Sequence, residues 1–232
     1  MSINSGDDGI HSDTAIVLDG GEAIIEKSYE GIESNAIVIN NGNYHINASD
    51  DGINTAGGND GSAMNGRPGQ NNFNTDSDSN LCINGGYIFI NAQGDGIDSN
   101  GDITMMEGTV LVNGPTNGGN GALDYNGSCN INGGVLIAVG SAGMAQGPSD
   151  SSAQNSILVN LDTIQLAGTL IHIKEENGED ILTFAPGKDY QFVVVSSPKL
   201  KNGSTYALYT SGMNSGTVID GLYDGEYILQ AN

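Results

Sequence analysis

The chain has 232 residues and carries 28 acidic side chains against 6 basic ones, a formal net charge of -22; such a surface repels phosphate backbones and anionic bilayers, which excludes nucleic acid and lipid headgroups as partners. Glycine fills 36 positions, tryptophan none, and charged residues are 15% of the chain against a usual ~25%, which speaks against ordinary helical architecture. No apolar run reaches the ~18 residues a membrane span needs, so no membrane insertion is expected.

Met1 to Asp8 has neither the basic nor the apolar region of a signal peptide. Ile3-Asn4 matches Ile46-Asn47 and Ile90-Asn91, so the chain is expected to begin inside a repeat, with its natural N-terminus and export signal upstream. That repeat follows directly. Asp8-Gly9-Ile10-His11-Ser12 returns as Glu30-Gly31-Ile32-Glu33-Ser34, Asp51-Gly52-Ile53-Asn54-Thr55 and Asp95-Gly96-Ile97-Asp98-Ser99, with a degenerate copy at Asn120-Gly121-Ala122-Leu123-Asp124. A second glycine marks each unit at Gly21, Gly42, Gly86, Gly108 and Gly134, and the period is about 22 residues. One doubled step places an insertion over about 56–78, polar and turn-like, a length typical of functional loops.

Aligning the units on the second glycine produces four apolar columns: Ile16, Ile37, Leu81, Ile103, Cys129; Leu18, Ile39, Ile83, Met105, Ile131; Ala23, Tyr44, Ile88, Val110, Leu136; and Ile25, Ile46, Ile90, Val112, Ala138. Spacing of two within a segment is strand period, and glycines bend the chain between segments. A short unit cannot bury its own apolar face, whereas copies stacked on one another form a continuous column. The fold expected is all-β, a right-handed parallel β-helix with rungs about 4.8 Å apart. An antiparallel sandwich is the alternative, and it has no need of equal-length units. From about Ile157 the repeat gives way to strands at 170–174, 181–184, 191–195 and 206–209, with hairpin signals at Asn177-Gly178 and Asn202-Gly203. Residues 1–156 are read as the helix and 157–232 as its C-terminal cap, one continuous domain.

Cys82 and Cys129 fall two rungs apart, roughly 10 Å and beyond disulfide reach, so both are expected as free thiols. The repeat also stacks acids, and like charges about 5 Å apart repel by roughly 1 kcal/mol in water and more in a lower dielectric. Oxygen-only clusters suit calcium, and Asp98, Asn100 and Asp102 at alternate positions resemble the start of a calcium loop, a spacing repeated at Asp76, Asp78 and Asn80. The ligand candidates are Asp8, Asp13, Glu30, Glu33, Asp50, Asp51, Asp95, Asp98, Asn100, Asp102 and Asp124. The competing explanation is that these are solvated turn residues.

The repeated D-G-I-[DEHN]-[ST] units, the N-G-G-x-[IVL] markers and Gly119-Asn120-Gly121-Ala122-Leu123-Asp124-Tyr125-Asn126-Gly127 together make the sequence resemble a carbohydrate-binding β-helix family of cellulolytic and gut anaerobic bacteria. The likeness extends to Gly168-Thr169-Leu170 and Val193-Val194-Val195-Ser196-Ser197-Pro198. It implies a calcium-containing right-handed parallel β-helix, similar in fold to family 9 pectate lyases, that binds xylan, pectin or cellulose without catalysis. It also implies a secreted or cell-surface setting, tethered to an enzyme or surface-protein module. A calcium-dependent pectate lyase is the runner-up, and it needs a Lys or Arg base beside the metal. In the repeat only Lys27 and Arg67 qualify. A structural or adhesive solenoid is the third reading. The expected sugar platform is the outward row of Asn43, His45, Tyr87, Phe89, Thr109 and Leu111, walled by Arg67 and Phe73 of the insertion, with Tyr125 and Tyr29 marking a second region.

Overall fold

The computed structural model describes residues 1–55, 78–176 and 178–229. Arg67, Phe73 and Asp76, together with the rest of 56–77, lie outside the described residues. The fold is an all-β parallel solenoid of about five turns with a repeat of about 22 residues, followed by an antiparallel region. Among the described residues no helix is long and apolar enough to cross a membrane.

The last three turns contribute three short strands each, and in the first two the longer strands Ile10–Leu18 and Ile32–Ile39 run across two sides, so the solenoid is a three-sided prism. On the first side Ile16, Ile37, Leu81, Ile103 and Cys129 are register partners from rung to rung, as are Leu18, Ile39, Ile83, Met105 and Ile131. On the second side the columns run Ala23, Tyr44, Ile88, Val110, Leu136 and Ile25, Ile46, Ile90, Val112, Ala138. The third side adds Ile10, Ile32, Ile53, Ile97 and Leu123. All of these point into one interior cluster. The D-G-I motif lies at the corner that opens the third side, and its glycine is required by close approach. A Cβ on Gly31, Gly52 or Gly96 would stand 2.2, 2.5 or 2.4 Å from the carbonyl oxygen of the next rung. The column ends at Ala122, and the degenerate copy is shifted by one residue: Leu123 pairs with Ile97, and Gly96 donates its N–H to Gly121. Gly121, not Asn120, therefore continues the acid column.

The last rung is closed on every side. Strand Tyr190–Ser196 pairs antiparallel with Val135–Gly140 and in turn with Ser156–Gln165. Its Phe192 and Val194 join the interior, while Val193 and Val195 face the other way. Ser149 and Ser152 hydroxyls accept the edge N–H groups of Cys129 and Ile131. The amide of Gln146 stands in for a strand beside Tyr125, accepting from its N–H and donating to its carbonyl. Strands Ile171–Glu175, Asp180–Phe184 and Tyr206–Tyr209 form near their expected positions, with Ile171–Glu175 and Asp180–Phe184 pairing antiparallel. Asn202-Gly203 is a turn, with Gly203 at φ 79, but it does not join neighbouring strands: Tyr206–Tyr209 pairs with Ile171–Glu175 instead. This five-stranded sheet packs Ile171, Ile173 and Phe184 onto the outer surface of the second side, over Leu111, Ile137 and Val139. Both cysteines are free, Cys82 facing outward and Cys129 inward, and burial pushes the Cys129 thiol up to about 12.

Candidate functional site

The acid column runs down the corner before the third side. The N–H of Glu30 donates to Asp8 Oδ1 at 3.3 Å, that of Asp95 to Asp51 Oδ1 at 2.6 Å, and that of Gly121 to Asp95 Oδ1 at 2.5 Å. Each of these carboxylates thus commits one oxygen to the backbone of a neighbouring rung. The outward column of the third side, His11, Glu33, Asn54, Asp98 and Asp124, lies beside it.

Two clusters result. Asp51, Asp95 and Asp98 each bring a carboxylate oxygen within 4.8 Å of the others, and all three are buried. Burial, and for Asp98 the charges of Asp95, Asp124 and Asp50, raise Asp98 to about 7; burial, opposed by the Gly121 N–H and helped by Asp124 and Asp50, raises Asp95 to about 7. Asp51 is pushed well above the carboxylate range by burial and then by Asp95, Asp98 and Asp50. Glu30, one rung away, rises to about 10 through burial and the charges of Glu33, Asp51 and Asp8, although Asn54 Nδ2 donates to its Oε2 at 2.9 Å. Gly94 makes room for the cluster: a Cβ there would stand 2.4 Å from both Asp50 Oδ1 and Asp51 Oδ1. Three buried carboxylates within 4.8 Å of one another form an oxygen-only donor set that fits a hard divalent ion. The second cluster, Asp8, His11 and Glu33, includes an imidazole and bridges the first and second rungs.

The remaining metal candidates divide. Asp124 pairs with Asp98 across rungs and is raised by burial. Asp13 is exposed and bonded to His11, and Asn100 is buried and accepts from Asn126 Nδ2 at 3.0 Å. Asp98, Asn100 and Asp102 do not form a calcium loop. Asp98 lies in strand Ile97–Ser99, Asp102 opens the next side, and its Oδ1 is taken by the N–H and hydroxyl of Ser128 at 2.7 and 2.8 Å. Alternation that reads as a ligand loop in one dimension here spans a corner of the prism. The backbone carbonyl of Asp78 accepts from Asn35 and Asn80 side chains.

No family model, curated protein or solved structure matches this chain.

The outward row of the second side is assembled as expected, with Asn43 against Tyr87 and Thr109, and His45 against Phe89 and Leu111. Its apolar end is used within the chain: Leu111 is fully buried, and Phe89 packs with it beneath the C-terminal sheet. Asn43 stays exposed, and His45 and Tyr87 are half-buried at the seam. There Asp220 Oδ2 accepts from Tyr87 Oη and His45 Nε2, both at 2.8 Å. Burial and then Asp220 push the Tyr87 phenol up. Asp220 stands at φ 49, among the described residues the one non-glycine in the left-handed region, a conformation that costs energy and clusters at functional sites. Tyr125 is half-buried, its hydroxyl donating to the carbonyl of Gly147, and Tyr29 is half-buried.

Sequence reading missed Asp220 and Lys188. Lys188 is half-buried and donates to the carbonyl of Ala92, and burial lowers it to about 8. No carboxylate among the described residues pairs with it, although Lys174 and Lys201 both find partners. The hint was present in the sequence: an isolated cation in a strongly acidic chain, followed by a strand that pairs onto the solenoid.

Proposed function

We propose that this chain is a non-catalytic carbohydrate-binding module of the calcium-containing β-helix type it resembles, recognising plant cell-wall polysaccharide and exported as one part of a secreted or cell-surface protein. The observation that carries the reading is the buried cluster of Asp51, Asp95 and Asp98 on a parallel solenoid. Calcium bound there would supply the positive charge that lets these acids ionise together. The protein's own residues hold the oxygens in place, because Asp51 and Asp95 are fixed by backbone N–H groups of adjoining rungs.

The polysaccharide contact falls at the seam of Asn43, His45, Tyr87 and Asp220. An exposed amide beside a half-buried phenol, imidazole and carboxylate suits a ligand rich in hydroxyls. The test is retention on xylan, cellulose and pectin columns with calcium present, with reducing-end and unsaturated-product assays run on the same samples. Retention without product, weakened by Asn43→Ala and His45→Ala together, is the expected result. No retention on any of the three glycans contradicts it.

Lys188 favours a second reading, a calcium-dependent uronate lyase. A lysine near 8 is a base at mildly alkaline pH, and it is held by the carbonyl of Ala92, three residues before Asp95. Absorbance from unsaturated uronate that rises with the parent chain and not with Lys188→Ala selects this reading instead.

A further inference from the structure

The first rung departs from the rest of the acid ladder. Where the lower rungs place Glu33, Asn54, Asp98 and Asp124, the first places His11, and its ring is engaged on both nitrogens. Nε2 lies 3.1 Å from Asp13 Oδ1, while Nδ1 lies 2.6 Å from Glu33 Oε2 and 3.4 Å from Asp8 Oδ2. His11 Nδ1 and one carboxylate oxygen each from Asp8 and Glu33 lie within 4.8 Å of one another, a donor set of one imidazole and two carboxylates. A proton on Nδ1, or a metal ion in its place, balances the two acids.

We infer that Asp8, His11 and Glu33 form a site for a zinc-class transition-metal ion, separate from the oxygen-only cluster of Asp51, Asp95 and Asp98. Calcium takes six to eight oxygens and gains little from an imidazole, whereas zinc and its first-row neighbours are routinely held by one or more His with carboxylates. The spacing suits such an ion. Tetrahedral ligands at metal bonds of about 2.1 Å stand about 3.4 Å apart, the separation His11 Nδ1 already has from Asp8. The shorter contact to Glu33 opens by movement of His11, whose side chain is 39% exposed. Asp13 occupies the position of the outer carboxylate that orients a metal-bound imidazole. Glu33 belongs to the second rung and Asp8 and His11 to the first, so the ion clasps the outermost rung to the stack. Three protein ligands leave a coordination position open to solvent.

The test is uptake of zinc by the whole chain in excess calcium, read by elemental analysis after desalting, with cobalt(II) as a visible-absorption probe of the same site. The parent chain is expected to retain one equivalent of zinc and to give the cobalt band. His11→Gln is expected to lose both while keeping its calcium response, and Asp95→Asn to keep both. Asp13→Asn should weaken zinc about ten- to a hundredfold. No zinc uptake by the parent chain, or equal uptake by His11→Gln, overturns the inference and leaves a proton shared between His11 and Glu33. Loss of the calcium response in the parent chain, with zinc retained, would remove only the calcium reading.

Discussion

The backbone N–H of Asp95 donates to Oδ1 of Asp51 at 2.6 Å, so a buried carboxylate is anchored by the same residue that brings the next acid beside it. A parallel stack makes such contacts unavoidable. Equivalent positions meet in every rung, and whatever the repeat places there is multiplied into a ladder. Isoleucine multiplied this way yields a core. Aspartate yields a concentrated charge that the fold tolerates only when it is neutralised.

That charge sets the pH dependence. Asp95 and Asp98 are raised to about 7 and Glu30 to about 10, so the native state holds protons that the unfolded chain releases near the ordinary carboxylate range. Their stabilising contribution is complete below that range and is lost as pH rises through the folded values. The melting temperature of the metal-free protein should therefore fall from pH 5 to pH 8, and the increment produced by calcium should grow over the same interval. A scan of melting temperature against pH with chelator, then with calcium, checks both slopes.

Gly52→Ala should destabilise the solenoid by about 1–3 kcal/mol through overpacking. The added methyl meets Ile90 Cγ2 at 2.3 Å and the Gly96 carbonyl oxygen at 2.5 Å, neither of which can withdraw from the stack. Urea unfolding provides the measurement, and an unchanged midpoint would contradict the packing of these rungs.

Gly94→Ala acts on the site and on the rung behind it, because its methyl would also stand 2.8 Å from the Asp50 carbonyl carbon. Its methyl would occupy the space between Asp50 Oδ1 and Asp51 Oδ1, so calcium affinity should drop by at least tenfold with the far-ultraviolet circular dichroism retained. Calorimetric titration of the two proteins side by side separates loss of the site from loss of the fold.

Asp220→Ala removes the acceptor shared by His45 and Tyr87. Hydrogen bonds to a charged group contribute about 1.5–3 kcal/mol, and alanine gains nothing back at φ 49, a left-handed conformation that aspartate tolerates better. The C-terminal segment should become more sensitive to limited proteolysis while the parallel solenoid stays protected. Equal cleavage of parent and variant would show that the seam is held elsewhere.

The sequence made the four apolar columns legible because stacking forces every rung to present the same residue type at the same place. Ile37, Leu81 and Ile103 could be aligned without coordinates for that reason. The same logic failed at Asn120, where the fifth copy reads Gly121-Ala122-Leu123: Leu123 takes the isoleucine place and Gly121 the acid's, so alignment on the glycine puts the rung out by one residue. It also failed at Asp102, because linear alternation cannot reveal a corner between Asn100 and the next strand. The fate of Leu111 was hidden for a different reason: the sheet that covers it comes from residues 171–223, and contacts so distant in sequence leave no periodic trace. Asp220, a lone aspartate before Gly221, acquires its importance only when Tyr87 and His45 are brought to it.

Calorimetric titration of metal-free protein with calcium at pH 7.5, comparing the parent chain with Asp95→Asn, is the most direct measurement. The parent should bind calcium with release of protons from the raised carboxyls, and Asp95→Asn should bind little while melting higher than the parent in chelator, because the variant keeps the shape and loses the repulsion. Equal heats of binding in the two proteins, or no binding in the parent, would contradict a calcium site built from Asp51, Asp95 and Asp98.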